Sequence, residues 1–172
     1  MPTYDRAFLT ALEELPTTEW RGRVWRHMFN EYAPERINTG GARWNPPGVG
    51  AIYAALERET AIAEGDHMIH VQPRRIFRRR VLYELAVEVD QVVDLTDPAS
   101  LASVGLTMAD IASDDFTACQ RIGGAIAWLG HGGILVPSAR RDGDNMVILI
   151  GPGGDAEIER VSQEILFDDP DL

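Results

Sequence analysis

A long segment rich in glycine, proline and asparagine, residues 30–50, constrains the fold most because regular elements flank it on both sides. Residues 22–29 alternate imperfectly and are typical of a strand, and the short apolar run 51–55 fits a buried strand. Residues 57–69 carry apolar side chains at helical spacing. A loop of this length inside a domain is usually functional. We therefore expect a strand, a functional loop, a second strand and a helix in succession.

The rest of the chain mixes strands and helices without a regular βαβ rhythm. This pattern favours an α+β fold with a mixed sheet over a doubly wound α/β fold. No internal repeat or linker divides the sequence, so we expect residues 1–172 to form one compact domain. The predicted helices are 7–15, 96–103, 107–111 and 116–129, the last interrupted at Gly123-Gly124, and the predicted strands are 81–89, 92–95, 132–137 and 145–150.

Composition excludes several functional classes. The formal net charge of −11 argues against direct nucleic-acid binding, because phosphate repels an acidic surface. No apolar run approaches the roughly 20 residues that cross a bilayer, and the N-terminus lacks the apolar core of a signal peptide. These features predict a cytoplasmic protein with no membrane partner.

Cysteine and histidine usage argues against a metal centre. Cys119 is the single cysteine, so no internal disulfide and no cysteine metal cluster can form. His67 and His70 are spaced to share a helix face, but no third ligand accompanies them. We expect no bound metal.

Three charged residues in or near the loop are candidates for a binding or catalytic site. Arg43 lies between paired glycines and paired prolines, where a guanidinium is suited to clamping a pyrophosphate; the alternative is a salt bridge that stabilises the loop. Glu64 borders the apolar face of the predicted helix, where a partly desolvated carboxylate is often functional. Its alternative is a buried salt bridge, for which Arg43 is a possible partner. Arg26, on the preceding strand, is a second phosphate candidate.

Two uncharged residues complete the candidate site. Tyr53 lies in the apolar strand and is suited to stacking on an aromatic ring or bonding a ribose, although core tyrosines commonly bond the backbone instead. Ser138 follows a predicted strand and offers a hydroxyl to a sugar or an amide. A Ser-His-Asp triad with His131 and Asp142 or Asp144 is an alternative, but the nucleophile elbow is absent. Together the residues suit an anionic, ring-bearing ligand and a reaction that develops positive charge.

Several of these motifs, in order and spacing, resemble the RES domain family, which is named for an arginine, a glutamate and a serine. The resemblance places Arg43, Glu64 and Ser138 at those three positions, Tyr53 at the family's active-site tyrosine and Arg26 at a further arginine. It spans about residues 22 to 150 and rests on Gly41–Gly48, Ile52–Ala54, Thr60–Glu64, Val136–Arg140 and Asn145.

The resemblance implies a fold similar to that of ADP-ribosyltransferase toxins. It implies the toxin of a toxin–antitoxin pair, which depletes NAD by phosphorolysis or hydrolysis of the nicotinamide–ribose bond. The implied partner is an Xre-type helix-turn-helix antitoxin that covers the active site. NAD is then a substrate, with inorganic phosphate as a possible co-substrate, and no cofactor is expected. The alternatives are a mono-ADP-ribosyltransferase and a non-catalytic nucleotide-binding module.

The family's chemistry gives each matched residue an expected role. Glu64 stabilises an oxocarbenium-like ribose, Arg43 holds the pyrophosphate, Tyr53 faces nicotinamide and Ser138 offers a polar contact. Arg26 is the expected extra cation for phosphorolysis. The expected catalytic residues are Arg43, Tyr53, Glu64 and Ser138, and the expected substrate-binding residues are Arg26, Arg43, Tyr53, Ser138 and Asn145.

Overall fold

The computed structural model describes residues 3–72, 77–151, 156–169 and 171. Within these residues lie helices α1 (Arg6–Glu13), α2 (Arg58–Val71), α3 (Pro98–Ser103), α4 (Met108–Ala112) and α5 (Thr117–Trp128), and strands β1 (Thr17–Phe29), β2 (Gly50–Ala55), β3 (Arg79–Asp94), β4 (Gly133–Pro137), β5 (Asp144–Ile150) and β6 (Glu157–Asp168). None of these helices combines the length and the apolar character needed to span a membrane.

The strands form one sheet in the order β1-β2-β5-β4-β3-β6, and β1 also pairs with β3. Strands β3 and β4 are parallel, whereas the other pairs are antiparallel. β1 follows β3 over most of its length and meets β2 at the pair Trp25–Ala55, so the path of pairing closes on itself. This mixed sheet with its helices confirms the predicted α+β class.

The strands separate two apolar layers, because successive side chains of a strand point to opposite faces. On β5, Val147 and Leu149 join the layer that contains the helices, while Met146 and Ile148 join the layer formed with β1 and β3. Tyr53 of β2 packs against the helix layer. The alternation on β2 therefore directs this candidate site residue towards the helices.

The predicted strands 81–89 and 92–95 are a single strand, β3. Gln91 has a φ of 52°, and the β1–β3 register shifts between Thr18 and Trp20. A bulge of this kind absorbs an extra residue while the ladder continues. The prediction of two strands was wrong, because a break in the alternation of apolar residues can indicate either a bulge within one strand or the end of a strand.

Two further elements differ from the expectation. Helix α5 runs without interruption through Gly123-Gly124, so the predicted interruption was wrong. These glycines allow the loop to approach the helix closely, since a Cβ added to Gly123 would lie 1.8 Å from the Trp44 carbonyl oxygen. Strand β6 was not predicted. It pairs along β3, but apart from Ile158 and Leu166 its residues are exposed, so no buried face marks it in the sequence.

Helix α2, which carries Glu64, packs closely on β1 at Gly65 and His27. A Cβ added to Gly65 would lie 2.6 Å from the His27 ring. The Arg80 Nε donates to His27 Nε2 at 3.0 Å, so the imidazole is neutral. Burial, and after it the Arg80 charge, lower the pKa of His27 to about 4. A neutral histidine thus lies beneath the helix turn that bears the candidate carboxylate.

This histidine predicts a loss of stability in mild acid. The pKa of His27 is lower in the folded protein than in the unfolded one, so protonation of this histidine disfavours folding. The free energy of unfolding is therefore highest above about pH 6.5, and it falls by up to about 3 kcal/mol as the pH falls towards about 4. His27→Gln should flatten this dependence. Urea unfolding of both proteins between pH 7.5 and pH 4.5 measures it, and parallel pH profiles would contradict the assignment.

Candidate active site

Three elements meet at the Glu64 carboxylate. The Ser138 Oγ, just after β4, donates to Glu64 Oε1 at 2.7 Å, and Asn145 Nδ2, on β5, donates to the same oxygen at 2.9 Å. Ser138 is buried, and Val136 and Asn145 are register partners, so the sheet fixes both donors side by side. Across the part of the chain that the structure describes, no hydrogen bond reaches Glu64 Oε2. One oxygen is anchored and the other is available.

Glu64 is held by neutral donors and not by a salt bridge. The contacts do not form the alternative, a buried salt bridge between Glu64 and Arg43. The bonded oxygen of Glu64 accepts from Ser138 and Asn145 instead. A carboxylate fixed by neutral groups keeps its charge uncompensated at short range. Such a group is suited to stabilising a positive charge on a ligand.

Arg43 reaches the same site from the loop. Its Nη1 donates to the Ser113 carbonyl at 2.6 Å, and its guanidinium lies 4.5 Å from the Phe116 ring centroid. Burial lowers the pKa of Arg43, the Arg140 charge lowers it too, and Glu64 raises it. Arg43 therefore remains a cation within the electrostatic reach of Glu64, with its orientation set by a carbonyl and an aromatic ring.

Tyr53 organises the loop that carries Arg43. Its hydroxyl donates to Asn45 Oδ1 at 2.6 Å and accepts from the Trp44 N–H at 2.9 Å. Asn45 is fully buried, and its Nδ2 donates to the carbonyls of Asn38 and Val49. Burial raises the pKa of Tyr53, so the phenol stays protonated. The hydroxyl is thus occupied by the loop, while the ring borders the helix layer.

Tyr53→Phe should destabilise the protein by about 1–3 kcal/mol, because the hydroxyl serves two buried partners that lose their hydrogen bonds. Urea unfolding measures this cost. Tyr83→Phe is the control: its ring lies near the Arg160 guanidinium, and we expect a change within about 0.5 kcal/mol. Equal effects of the two substitutions would contradict the role of the Tyr53 hydroxyl.

Arg26 is placed differently from the other predicted residues. Its Nη1 donates to the carbonyls of Pro34 and, at 2.8 Å, Arg36. Burial lowers the pKa of Arg26 to about 10. The contacts and charges bring Arg43, Glu64, Ser138 and Asn145 into one region, whereas the Nη1 of Arg26 is bonded to the start of the loop.

Two residues near Glu64, His67 and Arg140, were given no role in this site by the sequence analysis, although His67 was considered as a metal ligand and Arg140 ends the matched motif Val136–Arg140. Burial lowers the pKa of His67, Arg140 lowers it further, and Glu64 raises it. His67 follows Glu64 by three residues, a spacing that places two side chains on one helix face. Arg140 follows Ser138 by two residues. In the sequence, the short spacing of His67 from Glu64 and of Arg140 from Ser138 is the feature that could have indicated both residues.

The alternative chemistries find no support in the geometry. Ser138 donates to Glu64, whereas the charge that acts on His131 is that of Glu13 on α1. Burial raises the pKa of the Cys119 thiol to about 11, so it is not a thiolate at neutral pH. Over the described ranges, no three His, Cys, Asp or Glu side chains are grouped to hold a metal ion.

An open groove of about 480 Å³ lies beside Ser138. It gives a ligand access to the end of β4 and the start of β5. The groove is lined by Thr96, Met108 and residues 137–144.

Comparison with known proteins places this site in a family. The RES domain model matches residues 15–168. NAD(+) phosphorylase MbcT of Mycobacterium bovis and its counterpart in Mycobacterium tuberculosis are each 29% identical over 143 residues, which is 78% of this chain and 77% of theirs. The crystal structure of the M. tuberculosis MbcT–MbcA toxin–antitoxin complex superposes with a TM-score of 0.78 at 26% identity, covering 95% of this chain and 93% of the solved one. With the motif residues gathered round Glu64 and the family match extending over most of its length, the chain belongs to the RES domain family.

Proposed function

We propose that the protein is the toxin of a toxin–antitoxin pair and cleaves the nicotinamide–ribose bond of NAD, so that the cell's NAD is depleted. The observation that carries the proposal is the Glu64 carboxylate, which is anchored through one oxygen by Ser138 and Asn145 and is available through the other. The names of the MbcT relatives support the same reaction.

Glu64 supplies the electrostatics of the cleavage. Nicotinamide carries its positive charge before it leaves, so it departs as a neutral molecule without a general acid. The charge that develops lies on the ribose as an oxocarbenium-like centre. Oε2 of Glu64 faces this centre or holds a ribose hydroxyl, while Oε1 stays bonded to Ser138 and Asn145. Because the carboxylate is fixed beforehand, little reorganisation accompanies the reaction.

Arg43 supplies the cation for the pyrophosphate of NAD. The Ser113 carbonyl and the Phe116 ring hold the guanidinium in place, and the remaining N–H groups serve the anionic ligand. Tyr53 fixes the loop through Asn45 and presents its ring to nicotinamide. Arg43, Tyr53 and Glu64 lie on a loop, a strand and a helix that follow one another in the chain, so successive elements supply the three proposed roles.

Inorganic phosphate is the proposed acceptor. The relatives are named phosphorylases, and the region round Glu64 holds the guanidinium groups of Arg43 and Arg140. These cations offset the repulsion between Glu64 and an incoming phosphate. Water is the competing acceptor, and its product is free ADP-ribose.

The proposal includes an antitoxin partner of the Xre type that covers the site. Met68 and Val71 follow Glu64 on α2 by four and seven residues, which places them on the same helix face. Both are exposed, and so is Met108 beside the groove. Exposed apolar side chains round an active site suit burial by a partner. The superposed M. tuberculosis chain comes from a toxin–antitoxin complex.

The test is nicotinamide release from NAD by the purified protein, with and without inorganic phosphate. Mass spectrometry identifies the second product. We expect ADP-ribose 1″-phosphate when phosphate is present. Label transfer from NAD to a protein would favour mono-ADP-ribosylation instead. Binding of NAD without any release of nicotinamide would indicate a non-catalytic module and overturn the proposal.

A further inference from the structure

Arg140 lies close to the reactive carboxylate in the hydrogen-bond network, and the proposed function gives its guanidinium no specific contact with a ligand. Its backbone N–H donates to Ser138 Oγ at 3.1 Å, and that hydroxyl donates to Glu64. In the described portion of the chain its guanidinium makes no hydrogen bond or ion pair. The next residue differs: Arg141 lies 3.7 Å from a carboxylate oxygen of Glu57. Arg140 therefore offers its N–H donors to a ligand.

The groove beside Ser138 has room for that ligand. Its volume is about 480 Å³, and both Ser138 and Arg140 line it. Ser138 connects the groove to Glu64, because its Oγ donates to the anchored oxygen of that carboxylate. Among the described residues, a guanidinium without a hydrogen bond or ion pair therefore lines the same groove as the serine that anchors Glu64.

The other two candidate arginines each bond backbone through one nitrogen. The Nη1 of Arg43 donates to the carbonyl of Ser113, and the Nη1 of Arg26 donates to the carbonyls of Pro34 and Arg36. Arg140 also acts electrostatically on Arg43, lowering the pKa of that guanidinium. Two cations thus act on the same region. Within the described residues, Arg140 is the one of the three arginines whose guanidinium makes no hydrogen bond or ion pair, which makes it a better candidate than Arg26 for the cation of phosphorolysis.

We infer that Arg140 binds the inorganic phosphate that accepts the ADP-ribosyl group and thereby favours phosphorolysis over hydrolysis. This inference rests on the proposed function. In the step, a phosphate oxygen forms a bond to C1″ of the nicotinamide ribose as the C1″–N bond breaks. Nicotinamide leaves with the electron pair of that bond, and the proton of hydrogen phosphate passes to solvent. The products are nicotinamide and ADP-ribose 1″-phosphate.

The electrostatics explain why such a residue is needed. Glu64 carries a negative charge and repels a phosphate dianion, whereas it does not repel water. A guanidinium binds two phosphate oxygens at once and fixes the orientation of the third. Removing Arg140 therefore weakens the phosphate complex more than it weakens the NAD complex.

Steady-state kinetics test the inference through Arg140→Gln. Initial rates of nicotinamide release are measured while phosphate and NAD are varied separately. We expect the KM for phosphate to rise between about tenfold and a hundredfold, because hydrogen bonds to a charged group are lost. The KM for NAD should rise less than about threefold. A rise confined to the KM for NAD would place Arg140 on the pyrophosphate and overturn the inference.

Arg6→Gln is the control, because it removes the same charge at an exposed position that does not line the groove. It should leave the KM for phosphate within about twofold of the wild-type value, since Arg6 begins α1 and its charge is exposed to solvent. Equal effects of the two substitutions would indicate a diffuse charge effect and contradict a specific site. Thermal unfolding checks that both variants fold.

Calorimetric titration of the resting protein with inorganic phosphate gives a readout that does not depend on turnover. Binding should be lost in Arg140→Gln and kept in Arg6→Gln. Unchanged binding in Arg140→Gln overturns the inference. If Arg140 binds phosphate but the wild-type protein releases no nicotinamide, the proposed function fails while the phosphate site stands.

Discussion

Glu64→Gln should lower the rate of nicotinamide release from NAD by roughly 10²–10³-fold, because a preorganised charge is removed from the reaction centre. The substitution is nearly isosteric. The new amide oxygen can still accept from Ser138 Oγ and Asn145 Nδ2, which both donate to this position. We therefore expect the free energy of unfolding to change by less than about 1 kcal/mol. The loss should appear in kcat and not as a loss of folded protein.

Glu59→Gln is the control for this substitution. Glu59 lies in the first turn of the same helix with an exposed side chain, so it loses the same charge without approaching the site. Its rate of nicotinamide release should stay within about twofold of the wild-type rate. A Glu64→Gln protein that kept half of the activity would show that this carboxylate does not stabilise the transition state.

Gly123→Ala should have the largest effect on stability. An added Cβ would lie 1.8 Å from the carbonyl oxygen of Trp44, which is backbone and buried beneath α5. Overpacking costs about 1–3 kcal/mol where side chains can yield, and more where backbone must move. Relieving the contact requires the loop, which also carries Arg43, and α5 to move apart. We expect a loss of more than about 3 kcal/mol and a loss of NAD cleavage.

Gly124→Ala provides the comparison at the adjacent residue. There the added Cβ meets the Tyr4 hydroxyl at 2.5 Å and the Pro46 ring at 3.0 Å. The Tyr4 side chain is half-buried and can rotate, so the cost should be smaller, about 1–2 kcal/mol. Urea unfolding of both variants measures the order. A Gly124→Ala variant less stable than Gly123→Ala would contradict the close approach between α5 and the loop.

These two glycines also show where sequence reasoning reached its limit. In the sequence they indicate a weakened helix, since glycine has low helix propensity. In the structure they are where the loop contacts α5. Local propensity does not reveal a tertiary contact between residues 44 and 123. Strand β6 was not predicted for a related reason: it pairs with β3 but has no buried apolar face that would mark it in the sequence.

The candidate site was predictable to the extent that spacing and patterning carry chemistry. The position of Glu64 at the border of an apolar helix face indicated a partly sheltered carboxylate, and Ser138 was expected at the end of a strand. Their hydrogen bond depends on the parallel and antiparallel pairing of β3, β4 and β5, which no local pattern encodes. That Glu64 and Ser138 share one site was predicted from the family resemblance and not from local patterns.

The roles of the arginines needed the structure most. Arg26 and Arg140 are both candidates for a phosphate contact on charge alone. The difference lies in their partners: Arg26 bonds loop carbonyls, whereas within the described chain the Arg140 guanidinium has no such bond. Whether the N–H groups of an arginine are bonded within the protein or open to a ligand depends on tertiary packing, so it cannot be predicted from composition.

A crystal structure of the Glu64→Gln protein with NAD bound tests the central claim most directly. The account predicts that the nicotinamide ribose lies in contact with residue 64, that the pyrophosphate contacts Arg43, and that the Tyr53 hydroxyl remains on Asn45. A dinucleotide bound away from residue 64, or a ribose that contacts none of these side chains, would contradict it.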